Sequence, residues 1–227
     1  MSVMDYKRIT IVCGHYGSGK TNVALNMAYE QKAAGLNVSI ADLDIVNPYF
    51  RTKDSIDELN RRGINLICSD YAGTNLDIPA LPDEMYAVTD KKDENFVLDI
   101  GGDDRGALAL GRLAPQIIAE NDYSMIAVVN MYRPLTRDCL STVEVLREIE
   151  YAGGINFTAI INNSNLGTDT TASDVKKSVD YAREISAMMK LPIIATSADA
   201  RLKGKLDGEI DDLFYIELQN SLVNKEC

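Results

Sequence analysis

An eight-residue glycine-rich stretch constrains this chain more than any other part of it. The pattern G-x-x-x-x-G-K-[ST] matches Gly14-His15-Tyr16-Gly17-Ser18-Gly19-Lys20-Thr21. An apolar, β-branched run at 8–13 precedes this loop, and a helix-like run from Thr21 to Ala34 follows it. Glycines let backbone N–H groups turn towards an anion, and the start of the following helix adds positive potential there. The arrangement predicts a phosphate-binding loop, in which Lys20 reaches the β- and γ-phosphates and Thr21 ligates Mg²⁺.

Strand-like and helix-like segments alternate along the rest of the chain. Further strands are predicted at 37–41, 64–68, 95–100, 123–130, 156–162 and 191–196. Helices are predicted at 55–62, 83–88, 108–120, 138–151, 174–189 and 210–223. Strands joined through helices imply a mostly parallel sheet covered on both faces. Because no repeat, linker or break in composition interrupts the pattern, we expect one α/β domain over residues 1–227.

Acidic residues follow two of the predicted strands, at the edge of the sheet where the glycine loop also lies. Asp99 begins the sequence D-x-x-G, which ends at Gly102. A carboxylate at this place suits Mg²⁺, held through a water molecule, and the Gly102 N–H suits the γ-phosphate. Asp42 and Asp44 bracket the end of the second strand, so both are candidates to face the metal, and Asp44 is our choice to orient an attacking water. Solvated acidic turns remain the alternative for both groups.

The end of the sixth strand bears on which base is bound. Guanine-specific enzymes with a phosphate-binding loop of this kind use the motif N/T-K-x-D to bind the base, and this motif does not occur here. Instead the strand ends in Asn162-Asn163-Ser164, and an asparagine amide can pair with N6 and N7 of adenine. This favours ATP, with a polar turn as the alternative. Arg51 and Arg105 flank the two acidic loops and are candidates to neutralise charge in the transition state. A plain surface position is the alternative for each of them.

Composition excludes several kinds of partner. The net charge is −11, which argues against sequence-independent binding to nucleic acid or to an anionic membrane. The four cysteines are isolated, without the C-x-x-C spacing of zinc or iron–sulfur sites, and free thiols fit a reducing compartment. The sequence has no run of about 18 apolar residues and no signal-peptide core. We therefore expect a cytoplasmic protein without a nucleic-acid or membrane partner.

These features together resemble the MinD, ParA and nitrogenase iron protein branch of P-loop NTPases, the deviant Walker A group of the SIMIBI class. The resemblance rests on Cys13–Thr21, Ala41–Asp44, Leu98–Gly102 and Ile161–Ser164. It implies a three-layer fold with a parallel sheet of seven or eight strands. It also implies ATP or ADP with Mg²⁺ at the face of a homodimer, an adenine contact from Asn163, and hydrolysis that resets a partner-binding surface.

The sequence departs from that family inside the loop. The family has a signature lysine where His15 stands and a glycine where Tyr16 stands, and the lysine crosses the dimer interface to the partner's nucleotide. ATP binding is therefore a firmer expectation than rapid hydrolysis or a homodimer driven by nucleotide. The chain also lacks a cysteine pair for a bridging cluster, and the segment 210–223 lacks the basic residues of a membrane anchor.

The sequence thus predicts a Mg²⁺-dependent ATP-binding protein, a slow ATPase that acts as a switch for an unknown protein partner. The catalytic residues would be Lys20, Asp44 and Asp99. A small-molecule kinase or ATP-dependent synthase on the same fold is the main alternative, although no arginine-rich lid is evident. The third possibility is a module that binds nucleotide without hydrolysing it.

Overall fold

The runs of β-branched and apolar residues form strands, and the amphipathic runs between them form helices. The computed structural model describes residues 4–44, 53–68, 83–102 and 104–218. The strands are β1 Ile9–Cys13, β2 Val38–Leu43, β3 Asn65–Cys68, β4 Asn95–Ile100, β5 Tyr123–Val129, β6 Ala159–Asn162, β7 Ile193–Asp199 and β8 Leu213–Ile216. The α-helices are α1 Lys20–Ala33, α2 Lys53–Arg62, α3 Ala87–Asp90, α4 Asp104–Glu120, α5 Cys139–Gly153 and α6 Ala172–Met189.

All eight strands form one parallel sheet in the order β3-β2-β4-β1-β5-β6-β7-β8. The prediction of a parallel α/β sheet with seven or eight strands is confirmed, with the larger number. β1 lies between β4 and β5, and each of its five residues is buried. Because side chains on both faces of a central strand such as β1 are buried, the sheet needs cover on both faces.

Two hydrophobic clusters provide that cover, one on each face of the sheet. Ile9, Ile11 and Cys13 of β1 belong to the cluster that also contains residues of α4, α5 and α6. Val12, one position away from Ile11, belongs to the other cluster, with residues of α1 and α2. The alternation of one strand between two apolar layers fixes the register of β1 and therefore the height at which the glycine loop leaves the sheet.

The helix predicted at 210–223 is wrong for the residues that the structure describes. Leu213–Ile216 is strand β8, which pairs in parallel with β7, Ser197 opposite Phe214. Phe214 and Ile216 are buried and pack in the cluster with α1. Burial of every second residue is the period of a strand, and the free edge of β7 supplies its hydrogen bonds. Residues 219–223 lie outside the described ranges.

Two boundaries differ in ways that matter for the site. β2 continues to Leu43, so Asp42 lies within the strand rather than after it. α4 begins at Asp104, soon after the D-x-x-G sequence. Across the described part of the chain, no helix combines the length and apolar character needed to cross a membrane.

Candidate functional site

The glycine loop is packed too closely against β5 and β6 to carry side chains at two of its glycines. Gly19 has a φ of +89°, in the left-handed region, and a Cβ there would overlap Nδ2 of Asn163. A Cβ at Gly14 would overlap the carbonyl oxygen of Val128 in β5. The Ser18 N–H donates to the His15 carbonyl at 3.1 Å and closes the turn. The loop is thus a tight backbone cradle at the carboxyl edge of the sheet, immediately before α1.

Lys20 and Thr21, the first two residues of α1, both lie beside Asp99 near the end of β4. The Lys20 side chain is almost fully buried, and its Nζ donates to the His15 carbonyl at 3.3 Å across the loop. The Thr21 hydroxyl donates to Oδ2 of Asp99 at 2.5 Å. The ammonium and the hydroxyl therefore lie on the same side of the loop as the carboxylate of Asp99, near the end of β4.

Asp99 is a buried carboxylate with one unused oxygen. Only 1% of the residue is exposed, and its Oδ1 has no hydrogen-bond partner among the described residues. Burial raises the pKa of Asp99 to about 6, and the negative charge of Asp44 adds to the rise. The Thr21 hydroxyl and the Lys20 ammonium act in the opposite direction, and their sum is smaller. Such an environment disfavours a carboxylate unless a cation joins it.

The other two predicted carboxylates lie next to Asp99. Asp42 stands directly opposite Asp99 in the pairing of β2 with β4, and its side chain is nearly buried. The Asp44 N–H donates to Oδ1 of Asp42 at 2.8 Å, which turns the chain at the end of β2. Like charges opposite each other on neighbouring strands destabilise a sheet. The arrangement is therefore suited to a bound cation.

These residues fit Mg²⁺ on the chemistry of their donors. Every candidate ligand is a hard oxygen: the Thr21 hydroxyl and the carboxylates of Asp42, Asp44 and Asp99. Within the described ranges, no group of three or more histidine, cysteine or acidic side chains is placed to hold a metal ion by itself. Mg²⁺ is the cation that keeps waters and takes phosphate oxygens as its remaining ligands, so a partial protein shell is what it requires.

Gly102 rests directly on the glycine loop. A Cβ at this position would lie 2.6 Å from the Tyr16 nitrogen and 2.9 Å from Nζ of Lys20. Both distances are shorter than real Cβ contacts, so only glycine fits without a shift of the loop. The D-x-x-G sequence therefore touches the backbone N–H and the ammonium that are predicted to bind phosphate.

Asn163 supports the loop from the opposite side. Its Nδ2 donates to the Ser18 carbonyl at 2.6 Å, and its Oδ1 accepts from the Ser197 hydroxyl at 2.5 Å. Only 2% of the residue is exposed. Both ends of the amide are thus occupied by protein groups, and the adenine contact of Asn163 stays a prediction.

The remaining loop side chains are at the surface or close to it. Tyr16 is 63% exposed, and Nδ1 of His15 lies 3.0 Å from the Tyr16 carbonyl oxygen. Arg51 and the side chain of Arg105 lie outside the described residues. Another arginine, which no motif predicted, contacts the loop: Nε of Arg133 donates to the Gly17 carbonyl at 2.6 Å, although 116 positions separate the two residues. No local motif marks Arg133, so only the fold could reveal it.

Comparison with known proteins supports the fold alone. No family model matches the chain, and no curated protein matches it. Solved structures do match. The signal recognition particle receptor FtsY from Elizabethkingia anophelis is 16% identical with a TM-score of 0.53, over 85% of this chain and 59% of that one. The cell division protein FtsY from Thermotoga maritima is 17% identical with a TM-score of 0.57, over 84% and 61%. Signal recognition particle 54 kDa protein from Aeropyrum pernix K1, in complex with GDP, is 14% identical with a TM-score of 0.54, over 83% and 40%.

The chain thus spans less than two thirds of the length of each of these three proteins. At such low identity the likeness is one of architecture. The chain shares the fold of these proteins, a parallel sheet flanked by helices, and the matches do not show to which branch of proteins with this fold it belongs.

Proposed function

We propose that this protein binds ATP with Mg²⁺ in the cytoplasm, hydrolyses it slowly and acts as a nucleotide-controlled switch for a protein partner. One observation carries the proposal: a buried carboxylate oxygen of Asp99 without a partner lies beside Thr21 and Lys20, at the mouth of a glycine loop. Each of these groups is costly to bury alone, and a Mg²⁺–triphosphate satisfies all three at once.

Each residue has a distinct part in the proposal. The Thr21 hydroxyl would hold Mg²⁺ directly, with Asp99 and Asp42 holding its water ligands. The ion supplies charge neutralisation for the phosphates. Lys20 Nζ would exchange the His15 carbonyl, a 3.3 Å contact, for oxygens of the β- and γ-phosphates. Asp44, at the half-buried end of β2, would orient the attacking water.

The reaction itself is a hydrolysis. The water oxygen bonds to the γ-phosphorus, the bond from that phosphorus to the β–γ bridging oxygen breaks, and the water proton ends on inorganic phosphate. ADP remains in the loop. Gly102 then provides the switch, because its contact with Tyr16 N and Lys20 Nζ must change when a γ-phosphate occupies the same donors. Whether the output is a homodimer or a complex with another protein, this segment would transmit it.

The choice of ATP over GTP rests on the end of β6. Asn162-Asn163-Ser164-Asn165 contains neither the lysine nor the aspartate of a guanine-reading motif. A guanine ring would therefore find no carboxylate there for its ring N–H and exocyclic amine. Titration of the protein with ATP and with GTP, each with Mg²⁺, tests this part separately. Equal affinity for both would remove the base preference and leave the phosphate site intact.

The central experiment is calorimetric titration of Lys20→Ala with Mg²⁺–ATP. We expect the loss of the ammonium to weaken binding by about a hundredfold or more, because a charged hydrogen bond to phosphate is worth about 1.5–3 kcal/mol and Lys20 makes several. Lys32→Ala is the matched control, in the last turn of the same helix. Retained affinity in Lys20→Ala would refute the phosphate-loop assignment.

Turnover has its own test. Asp44→Asn should slow phosphate release while it leaves ATP affinity within a fewfold of the unmodified protein. Normal turnover in this variant would move the water-orienting role to another residue. Mass analysis of a reaction with cell metabolites completes the test, because a phosphorylated metabolite in place of free phosphate would show a kinase.

A further inference from the structure

A firmly held turn places Arg133 beside the glycine loop. The Asn130 side chain is fully buried, and its Oδ1 accepts from the Tyr132 N–H at 3.0 Å and from the Asn165 N–H at 3.3 Å. The Arg133 N–H donates to the Asn130 carbonyl at 3.3 Å, and the Thr136 N–H donates to the Arg133 carbonyl at 3.1 Å. The backbone of Arg133 is therefore fixed on both sides before its side chain makes any contact.

The Arg133 side chain uses only one of its nitrogens on the protein. Nε donates to the Gly17 carbonyl, and Cδ and Nε lie 3.6 Å from the place that a Cβ at Gly17 would take. Within the described ranges, the two terminal nitrogens have no hydrogen-bond partner and no carboxylate forms an ion pair with Arg133. The guanidinium is thus oriented along the loop while its four terminal N–H groups stay available.

A positioned guanidinium with free donors is the group that phosphate binds best. Its planar fork matches two phosphate oxygens, and it stays charged at any physiological pH. The loop itself supplies one lysine ammonium, that of Lys20. Gly17 lies immediately before Ser18, Gly19 and Lys20, so Arg133 adds a second cation at the edge of the cradle.

We propose that Arg133 binds phosphate oxygens of the nucleotide from within the same chain, and that it stabilises the charge that develops when the γ-phosphoryl group is transferred to water. The proposal depends on the proposed function, because it assigns a new residue to that site. An arginine that is already oriented pays less entropy on binding than one on a free loop, and a donor fixed before the reaction can stabilise charge as it develops in the transition state.

The test compares two arginines of the same turn. Arg133→Gln removes the charge and keeps a side chain of similar length, whereas Arg137→Gln makes the same change at an exposed position four residues later. Affinities for ATP, ADP and adenosine are measured by calorimetry, and hydrolysis is measured in single turnovers. We expect Arg133→Gln to bind ATP about tenfold more weakly, to bind adenosine unchanged, and to hydrolyse ATP at least tenfold more slowly. Arg137→Gln should stay within twofold in every measurement.

Several results would overturn the assignment. Unchanged ATP affinity and turnover in Arg133→Gln would do so, as would equal losses for ATP and adenosine, since a residue that only braces the loop has no preference for phosphate. Arg133→Lys keeps the charge and guards against a folding defect; it should recover part of the ATP affinity if the charge contacts phosphate, and none if Nε merely ties the loop. Binding of ATP by the unmodified protein, with its loss in Lys20→Ala, shows separately whether the proposed function stands.

Discussion

The two sides of the glycine loop differ in how their buried polar atoms are satisfied. Four buried side-chain atoms in the described part of the chain have no hydrogen-bond partner, and two of them, Oγ of Ser18 and Oδ1 of Asp99, lie at the loop and the end of β4. On the side of β6 and β7, Asn163 is bonded at both ends, and Nδ2 of Asn162 donates to Oγ of Ser178 at 2.8 Å.

An unpaired buried polar atom costs about 1–3 kcal/mol of stability, so the two sides of the loop differ in energy as well as in geometry. The β6–β7 side is complete without a ligand and acts as a brace for the loop. The β4 side is incomplete, and the proposed ligand would complete it. Functional sites are where such local costs persist, because the bound state offsets them.

The variant that should affect the incomplete side most is Gly102→Ala. Its Cβ would lie 2.6 Å from the backbone nitrogen of Tyr16, and a backbone atom cannot move aside as the end of a side chain can. We expect ATP affinity to fall about a hundredfold, since the loop must shift to make room. Gly111→Ala, inside α4, is the control, because the nearest atom there is 3.5 Å away and alanine should raise stability. Equal ATP binding in both variants would show that Gly102 does not approach the phosphates.

Asp99→Asn tests whether the buried carboxylate of Asp99 lowers the free energy of unfolding of the nucleotide-free protein. The pKa of Asp99 is raised to about 6, above the value near 4 of an unfolded chain. Between these values the folded protein holds more protons than the unfolded chain, so its free energy of unfolding falls as the pH rises. The loss should reach about 2–3 kcal/mol and be complete above the folded pKa.

Urea unfolding from pH 4 to pH 8, without nucleotide or Mg²⁺, measures this slope. Asp99→Asn should match the unmodified protein near pH 4 and exceed its stability near pH 7, because asparagine does not ionise. The same variant should lose the Mg²⁺ dependence of ATP binding. If the free energy of unfolding depended on pH in the same way in both proteins, ionisation of Asp99 would not be what destabilises the nucleotide-free protein.

Asn163→Ala examines the brace. The variant removes bonds to Ser18 and Ser197, and we expect it to lower the free energy of unfolding by about 2 kcal/mol. If Asn163 only supports the loop, affinities for ATP, GTP and tripolyphosphate should fall by one common factor. A larger loss for ATP than for GTP would instead establish the adenine contact that the sequence predicts.

The smallest expected effect comes from a pair of serines. Ser18→Ala removes a buried hydroxyl without a partner, so the stability of the nucleotide-free protein should stay the same or rise. Ser197→Ala removes a hydroxyl that donates to Oδ1 of Asn163, and should cost about 1 kcal/mol. Thermal unfolding of both variants is sufficient, and equal losses would erase the distinction between the two sides.

The sequence predicted those parts of the fold that local patterns determine. The glycine loop with its strand and helix is a continuous motif, and the apolar runs at 95–100 and 123–130 match β4 and β5 closely. β8 was not predicted because the acidic residues around Leu213-Phe214-Tyr215-Ile216 suggested a solvated helix. In the structure this segment is a strand, because it pairs with the edge of β7. Such pairing depends on tertiary structure and cannot be predicted from a window of neighbouring residues.

The same limit applies to the site. Asp99 and Gly102 could be predicted because their motif is contiguous and follows a strand. The contact of Arg133 with Gly17, and the bond from Asn163 to Ser18, join positions far apart in the sequence. A sequence motif relates only positions close together in the chain, so the motifs predicted the loop, Asp99 and Gly102 but not the contacts that Arg133 and Asn163 make with the loop.

The position of β1 in the middle of the sheet has a consequence for synthesis. Ile9 pairs with Phe96 and with Tyr123, so β1 cannot form its hydrogen bonds until two strands much later in the chain have been synthesised. The glycine loop waits longer still, since Asn163 and Ser197 hold it from β6 and β7. The proposed nucleotide site can thus be completed only after the nascent chain has passed Ser197, so a bound nucleotide would stabilise the fold late in folding.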